Sequence, residues 1–348
     1  MTTRPLPLAA SADHLTKVLG RGRVTDVAVV SMTPTILSQI WRLKLTYDGP
    51  AEGAPRTLVL KTGTLDKPGG DWVGGRQESA FYSKLAPSTP AGLLLGCFES
   101  HYDAETAAWH VLVEDVTDTH MIASQWPLPP TLAQCEAIVR VFAGFHAAWW
   151  DHPRLGVDIG EWHDAAWFEQ AFGRAGEMVE RFSQVMGDGL SPARRDLYKR
   201  LLAAGPRLVA RQTSRRHMTI GHGDSHVWNC FLPKDGTPGG ARLFDWDNWR
   251  VDIGADDLSY MMALHWFRDQ RAAREGHLLD VYHAALAEAG VAGYDRRALQ
   301  DDYRYAVLWQ TLKPVFLQAF NIPPVIWWNH LERIHQAVDD LDCRELLD

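Results

Sequence analysis

The sequence predicts an α+β fold in which a small N-terminal lobe built on an antiparallel sheet, residues 1–116, precedes a larger, mainly helical lobe, residues 117–348. Three observations predict it. Val24–Met32, Ile40–Tyr47 and Thr57–Thr62 are β-rich and partly alternating, with turn residues between them, as in consecutive antiparallel strands. Leu93–Phe98 and Trp109–Val113 add two more, and Glu114-Asp115-Val116 marks the crossover out of the sheet. From Thr131 the period changes: Cys135, Ile138, Val139, Phe142, Phe145, His146 and Trp149 recur at three- and four-residue steps on one helical face.

Taken in order, Ala12–Leu19 has helical spacing and stops at Gly20, a C-cap. Gly20-x-Gly22 lacks the third glycine and the preceding strand of a dinucleotide-binding turn. The glycine-rich run Gly69–Gly75 follows the third strand and leads into the amphipathic Arg76–Leu85, so it reads as a connector and not a phosphate cradle. In the second lobe, strand-loop pieces at Thr219-Ile220, Cys230–Leu232 and Arg242–Phe244 should form a small hairpin. Further helices are expected at Asp256–Phe267, His277–Ala289, Arg296–Phe320 and Ile326–Leu341.

A net charge of −8 argues against nucleic-acid binding by phosphate neutralisation. No apolar run reaches the roughly 18 residues of a membrane span. Cys97, Cys135, Cys230 and Cys343 are scattered without metal-ligand spacing, which suits a reducing cytoplasm. The expectation is a soluble, cytoplasmic protein without nucleic-acid or membrane partners; its oligomeric state is open.

The chemistry concentrates in His222-Gly223-Asp224-Ser225-His226-Val227-Trp228-Asn229 and in Leu243-Phe244-Asp245-Trp246-Asp247. Asp224, Asn229 and Asp245 offer one carboxylate for a substrate hydroxyl and two hard oxygen ligands for Mg²⁺. An Asp-x4-Asn followed some fifteen residues later by an apolar-flanked Asp matches the catalytic-loop and metal-loop arrangement of protein kinases.

His-Gly-Asp-x4-Asn with Phe-Asp-Trp-Asp resembles the aminoglycoside phosphotransferase and choline kinase superfamily, especially its ecdysteroid-kinase-like branch. The resemblance extends through Leu58–Thr62, Glu78–Tyr82, Val111–Val116 and Phe145–Trp149, from about Val27 to about Leu264. It implies a bilobal protein-kinase-like fold whose cleft binds Mg-ATP, GTP remaining open, and passes the γ-phosphate to a hydroxyl of a small molecule. Within that pattern Lys61 reaches the α- and β-phosphates and pairs with Glu78. Asp224 orients or accepts the acceptor's proton, while His222 and His226 orient the loop. Asn229 and Asp245 hold Mg²⁺, and Glu114 and Val116 lie at the hinge that reads the base. The loop between the first two strands contains no glycine, so phosphate contacts there would come from Ser31, Thr33 and Ser38; an ordinary hairpin turn is the alternative.

Asp247 is either a substrate-side acid or a loop brace; Asp252–Leu258 resembles the family's Gly-x-x-Asp-Leu, which implies that Asp257 caps the next helix and buttresses the loop. The fifteen tryptophans either fill the core or, at Trp149, Trp150, Trp266, Trp327 and Trp328 with Asp151, include an aromatic wall for the acceptor. Acceptor candidates are an antibiotic sugar or nucleoside, an amino alcohol, and a hydrophobic alcohol. Two rival readings are a nucleotide-binding pseudokinase, suggested by the glycine-free loop, and a metal-assisted hydrolase built on His222, Asp224 and His226. Zinc held by His217, His222 and His226 is disfavoured because the nearby acids suit magnesium better. A serine hydrolase lacks its Gly-x-Ser-x-Gly elbow.

Overall fold

The computed structural model describes residues 6–35, 37–63 and 73–348. It divides into two compact units, residues 1–121 with 231–249, and residues 122–230 with 250–348. The first unit runs to Met121 and takes in the later segment carrying Asp245 and Asp247.

In the first unit, helix α1 (Ala12–Leu19) starts at Ser11, whose side chain accepts the His14 N–H, and ends at Gly20, where φ is 59°. Five strands follow, β1 (Val24–Pro34), β2 (Ser38–Tyr47), β3 (Thr57–Gly63), β4 (Cys97–Tyr102) and β5 (Trp109–Glu114). They form one antiparallel sheet in the order β1-β2-β3-β5-β4. Alternation sorts its faces: Trp41, Leu43 and Leu45 of β2, Leu58 and Leu60 of β3 and Leu112 of β5 bury against Leu15 and Leu19 of α1. Lys61 and its partner Val111 therefore project from the other face.

Helix α2 (Gly74–Ala80) covers that second face and continues as a π-helical turn, Phe81–Leu85. Gly75 permits the approach: the Trp109 indole occupies the space where a Cβ would stand. One expected strand is misplaced. The sequence predicts a strand over Leu93–Phe98, whereas β4 begins at Cys97 and Leu94 bridges to Leu243 outside the sheet. The apolar run is satisfied by that pairing, so it does not extend the ladder.

The second unit is mainly helical: α3 (Leu132–Ala148), α4 (Ala165–Met186), α5 (Pro192–Leu208), α6 (Ala210–Thr213), α7 (Gly254–Ser259), α8 (Arg268–Glu288), α9 (Arg296–Gln310), α10 (Lys313–Ala319) and α11 (Pro324–Asp340). Thr131 starts α3 through a reciprocal capping box with Gln134. The single helix expected over Arg296–Phe320 is two, α10 having Pro314 in its first turn, where proline is tolerated but cannot donate back to the preceding turn. Thr219–Gly221 and Arg250–Asp252 pair antiparallel, with Gly221 opposite Arg250. The segment 222–229 leaves the end of this ribbon, so its backbone starts from a fixed point.

Candidate active site

In the first unit three groups converge on the outward face of β3. Lys61 Nζ lies 2.5 Å from Glu78 Oε2 on α2 and also donates to Asp245 Oδ1. Glu78 is 2% exposed. Its helix is held against the 245–249 segment: Phe81 stacks on Trp246 at 3.9 Å with rings 5° from parallel, and Trp249 Nε1 donates to the Gln77 carbonyl at 2.8 Å. Asp245 adopts a left-handed backbone, φ 70°, which short polar residues tolerate better than most.

Burial would lower the pKa of Lys61, but Asp245, Glu78 and Asp247 outweigh it and hold the ammonium charged. Burial pushes Glu78 upward, against the pull of Lys61. Asp247 accepts from the Asn248 side chain at 2.6 Å, and its charge acts on Lys61.

The first unit also holds the expected hinge residues and the loop between β1 and β2. Glu114 ends β5 with its side chain accepting the Gly96 N–H at 2.8 Å, and the Val116 carbonyl accepts the N–H groups of Thr119 and His120. Ser31 and Thr33 lie within β1. Ser38 is buried in a hairpin turn, where its N–H and hydroxyl both engage Thr35 Oγ1 at 2.9 Å. Ile36 and Gly69–Trp72 fall outside the described residues.

In the second unit the loop from His222 to Asn229 is organised by one carboxylate. Asp257 on α7 accepts the backbone N–H of His222 at 2.7 Å and of Gly223 at 3.0 Å, while its own carbonyl accepts the Ser225 hydroxyl at 2.8 Å. His146 braces it from α3, Nε2 3.1 Å from Asp257 Oδ2, and is itself held by the Tyr282 hydroxyl at 2.7 Å. Burial alone would raise the pKa of Asp257; the His146 hydrogen bond and the surrounding donors instead bring it down to about 2. His222 is fully buried, and its Nδ1 accepts the Asp224 N–H at 3.3 Å.

Asp224 emerges from this braced loop. Its Oδ1 accepts the Tyr260 hydroxyl at 2.5 Å, and its Oδ2 lies 3.2 Å from Asn229 Nδ2 and 3.5 Å from His226 Nε2. Asn229 Nδ2 also donates to the Asp224 carbonyl at 2.8 Å. Burial would again raise the Asp224 pKa, but His226, Lys313 and the Tyr260 hydrogen bond hold it below the ordinary carboxylate range.

A cavity of about 240 Å³ adjoins this loop, lined by Gly223, Tyr260, Arg250, Asp256, Gln310 and Lys313 among others. Arg250 ties Asp252 at 2.8 Å and also pairs with Asp256, and Gln310 donates to Asp256 at 2.9 Å. Burial pushes Asp256 above the usual carboxylate range despite Arg250. Trp149, Trp266 and Trp327 are buried, Asp151 accepts the Met218 N–H at 2.8 Å, and Trp150 lies against Tyr294. None of these five is among the residues described as lining the cavity; Trp309 is.

Sequence reasoning missed Tyr260 and Lys313. Tyr260 follows Asp256 and Asp257 by four and three residues, a helical repeat that could have been read as the same face. Lys313 carried no local signal.

The fold is that of the aminoglycoside phosphotransferases. A protein of Ralstonia eutropha JMP134 assigned to that class aligns over 98% of both chains with a TM-score of 0.59 and 14% identity. Aminoglycoside 2′-phosphotransferase-IIIa, solved with GDP, covers 93% of this chain and 97% of its own with a TM-score of 0.54 and 10% identity. No curated protein matches the chain. The model of the ecdysteroid kinase-like family matches residues 35–291, and the chain belongs to that family. It is a small-molecule kinase.

Proposed function

We propose that the chain transfers the γ-phosphate of ATP to a hydroxyl of a polar small molecule. The observation that carries this reading is the state of Asp224: ionised, fixed by Tyr260 and Asn229, and next in sequence to a residue lining a polar cavity. A carboxylate so held can orient an incoming hydroxyl and take its proton as the bond to phosphorus forms. Because the transition state of phosphoryl transfer is largely dissociative, orientation contributes more than basicity.

Lys61 supplies the fixed cation for the nucleotide's phosphates, and Glu78 keeps its ammonium in place. For magnesium, the partly exposed carboxylate of Asp245 in the first unit and the amide oxygen of Asn229 in the second are each hard donors of the kind that the ion takes, and magnesium would offset charge on the phosphate oxygens. Adenine is the expected base; because a structural relative is solved with GDP, GTP belongs in the same assay.

The cavity favours a polar acceptor over a sterol-like one. Asp252, Asp256, Gln212 and Gln310 present acceptors and donors there, with Tyr305, Trp309 and Phe316 supplying apolar faces. This combination suits an amino sugar, nucleoside or amino alcohol. The test is acceptor-dependent ADP formation from Mg-ATP across hydroxylated amines, sugars, nucleosides and sterols. Turnover confined to sterols would contradict the cavity argument.

A further inference from the structure

The geometry points to a zinc site at His14, Glu99 and His110, on the sheet face opposite Lys61. The strand register brings two of the three ligands together. Glu99 on β4 pairs with Leu112 on β5, and His110 is two residues from Leu112, so both share its face. Leu112 packs in the core with Leu15 and Leu19 of α1, and His14 is the residue next to Leu15 on that helix.

Glu99 Oε2 lies 2.6 Å from His14 Nε2 and 2.7 Å from His110 Nε2. All three potential ligand atoms fall within 4.8 Å of one another, and among the described residues this is the one group of three His, Cys, Asp or Glu that does so. Zinc bound at about 2.0–2.1 Å in a tetrahedron separates its ligand atoms by roughly 3.4 Å, so small side-chain rotations would admit the ion.

Two imidazoles with one carboxylate select zinc over magnesium, which prefers oxygen alone. The side chains are 33%, 26% and 14% exposed for His14, Glu99 and His110, leaving room for water as a fourth ligand. Both Nε2 atoms face a carboxylate that can only accept, so each carries its proton there. Coordination requires each imidazole to present Nε2 without its proton, the Nδ1–H tautomer. The ion would pin α1 to β4 and β5, a structural role distinct from phosphoryl transfer.

The experiment titrates zinc alone into chelator-treated full-length protein against a chromophoric chelator, with excess Mg²⁺ present to occupy oxygen-rich sites. The expected result is one Zn²⁺ per chain at submicromolar affinity, a rise in the thermal midpoint, and a loss of roughly 100-fold or more in His14→Ala, Glu99→Gln and His110→Ala. Cobalt added to the wild-type protein reads the site without any substitution: a strong visible absorption of four- or five-coordinate Co²⁺, abolished by one equivalent of zinc, supports it. No zinc binding at micromolar concentration, undiminished affinity in all three variants, or a weak six-coordinate cobalt spectrum overturns it.

Discussion

The Tyr260 hydroxyl donates to Asp224 Oδ1 at 2.5 Å, joining the first residue of the π-helical turn after α7 to the loop that α7 braces through Asp257. One short helical stretch thus fixes both the backbone of the loop and the carboxylate it presents. Tyr260→Phe removes a hydrogen bond to a charged group worth about 1.5–3 kcal/mol. The expected result is a kcat lower by roughly 10- to 100-fold with little change in nucleotide affinity. Tyr260 lowers the pKa of Asp224, so the acid limb of the pH–rate profile should move to higher pH in the variant. An unmoved limb would show that the contact does not tune the carboxylate.

Lys61→Met should be the more damaging change in the first unit. It leaves buried Glu78 without its cation and removes the ammonium from Asp245. Breaking a buried pair from one side costs about 3–5 kcal/mol. Thermal denaturation should show a large loss, and nucleotide titration a weakened affinity. Glu78→Gln, which leaves Lys61 paired with Asp245, should cost less in both measurements.

Asp257 sets the acid stability of the loop from His222 to Asn229. Its folded pKa, about 2, lies below the ordinary 3.8, so its contribution is complete above pH 4 and disappears as pH falls toward 2. The shift corresponds to about 2 kcal/mol. Asp257→Asn should therefore be less stable at pH 7 and show a flatter stability curve between pH 4 and 2. Urea denaturation at a series of pH values checks this; parallel curves for the two proteins would remove the assignment.

Gly75→Ala places a methyl where the Trp109 indole lies. Overpacking of this kind costs about 1–3 kcal/mol, and it should displace α2 and loosen the Lys61–Glu78 contact. Adding Trp109→Phe to Gly75→Ala should recover part of the stability. A double variant no better than the single one would mean that the helix is positioned by something else.

Much of this architecture was legible because its signals are local. Ser11, Gly20 and Thr131 cap their helices with their own neighbours, and alternation in β2 marks the buried face. The motif from His222 to Asn229 lies on one loop, and the resemblance pointed to Asp257 as its buttress, although Ile253 and not Asp257 stands at the N-cap of α7. What stayed hidden depends on distant partners. The Leu93–Leu95 run satisfies itself against Leu243, and Lys313 meets Tyr260 only through the packing of helices, Nζ 4.9 Å from the ring centroid. The tryptophans illustrate the same limit: composition counts them, but only packing distinguishes buried Trp149 from Trp309 at the cavity.

The most direct measurement is acceptor-dependent ADP formation by the wild-type protein and by Asp224→Asn, with Mg-ATP affinity measured on both. The account predicts turnover in the wild type, a loss of roughly 1000-fold or more in the variant, and nearly equal nucleotide affinity. Turnover at the wild-type rate in Asp224→Asn would contradict it.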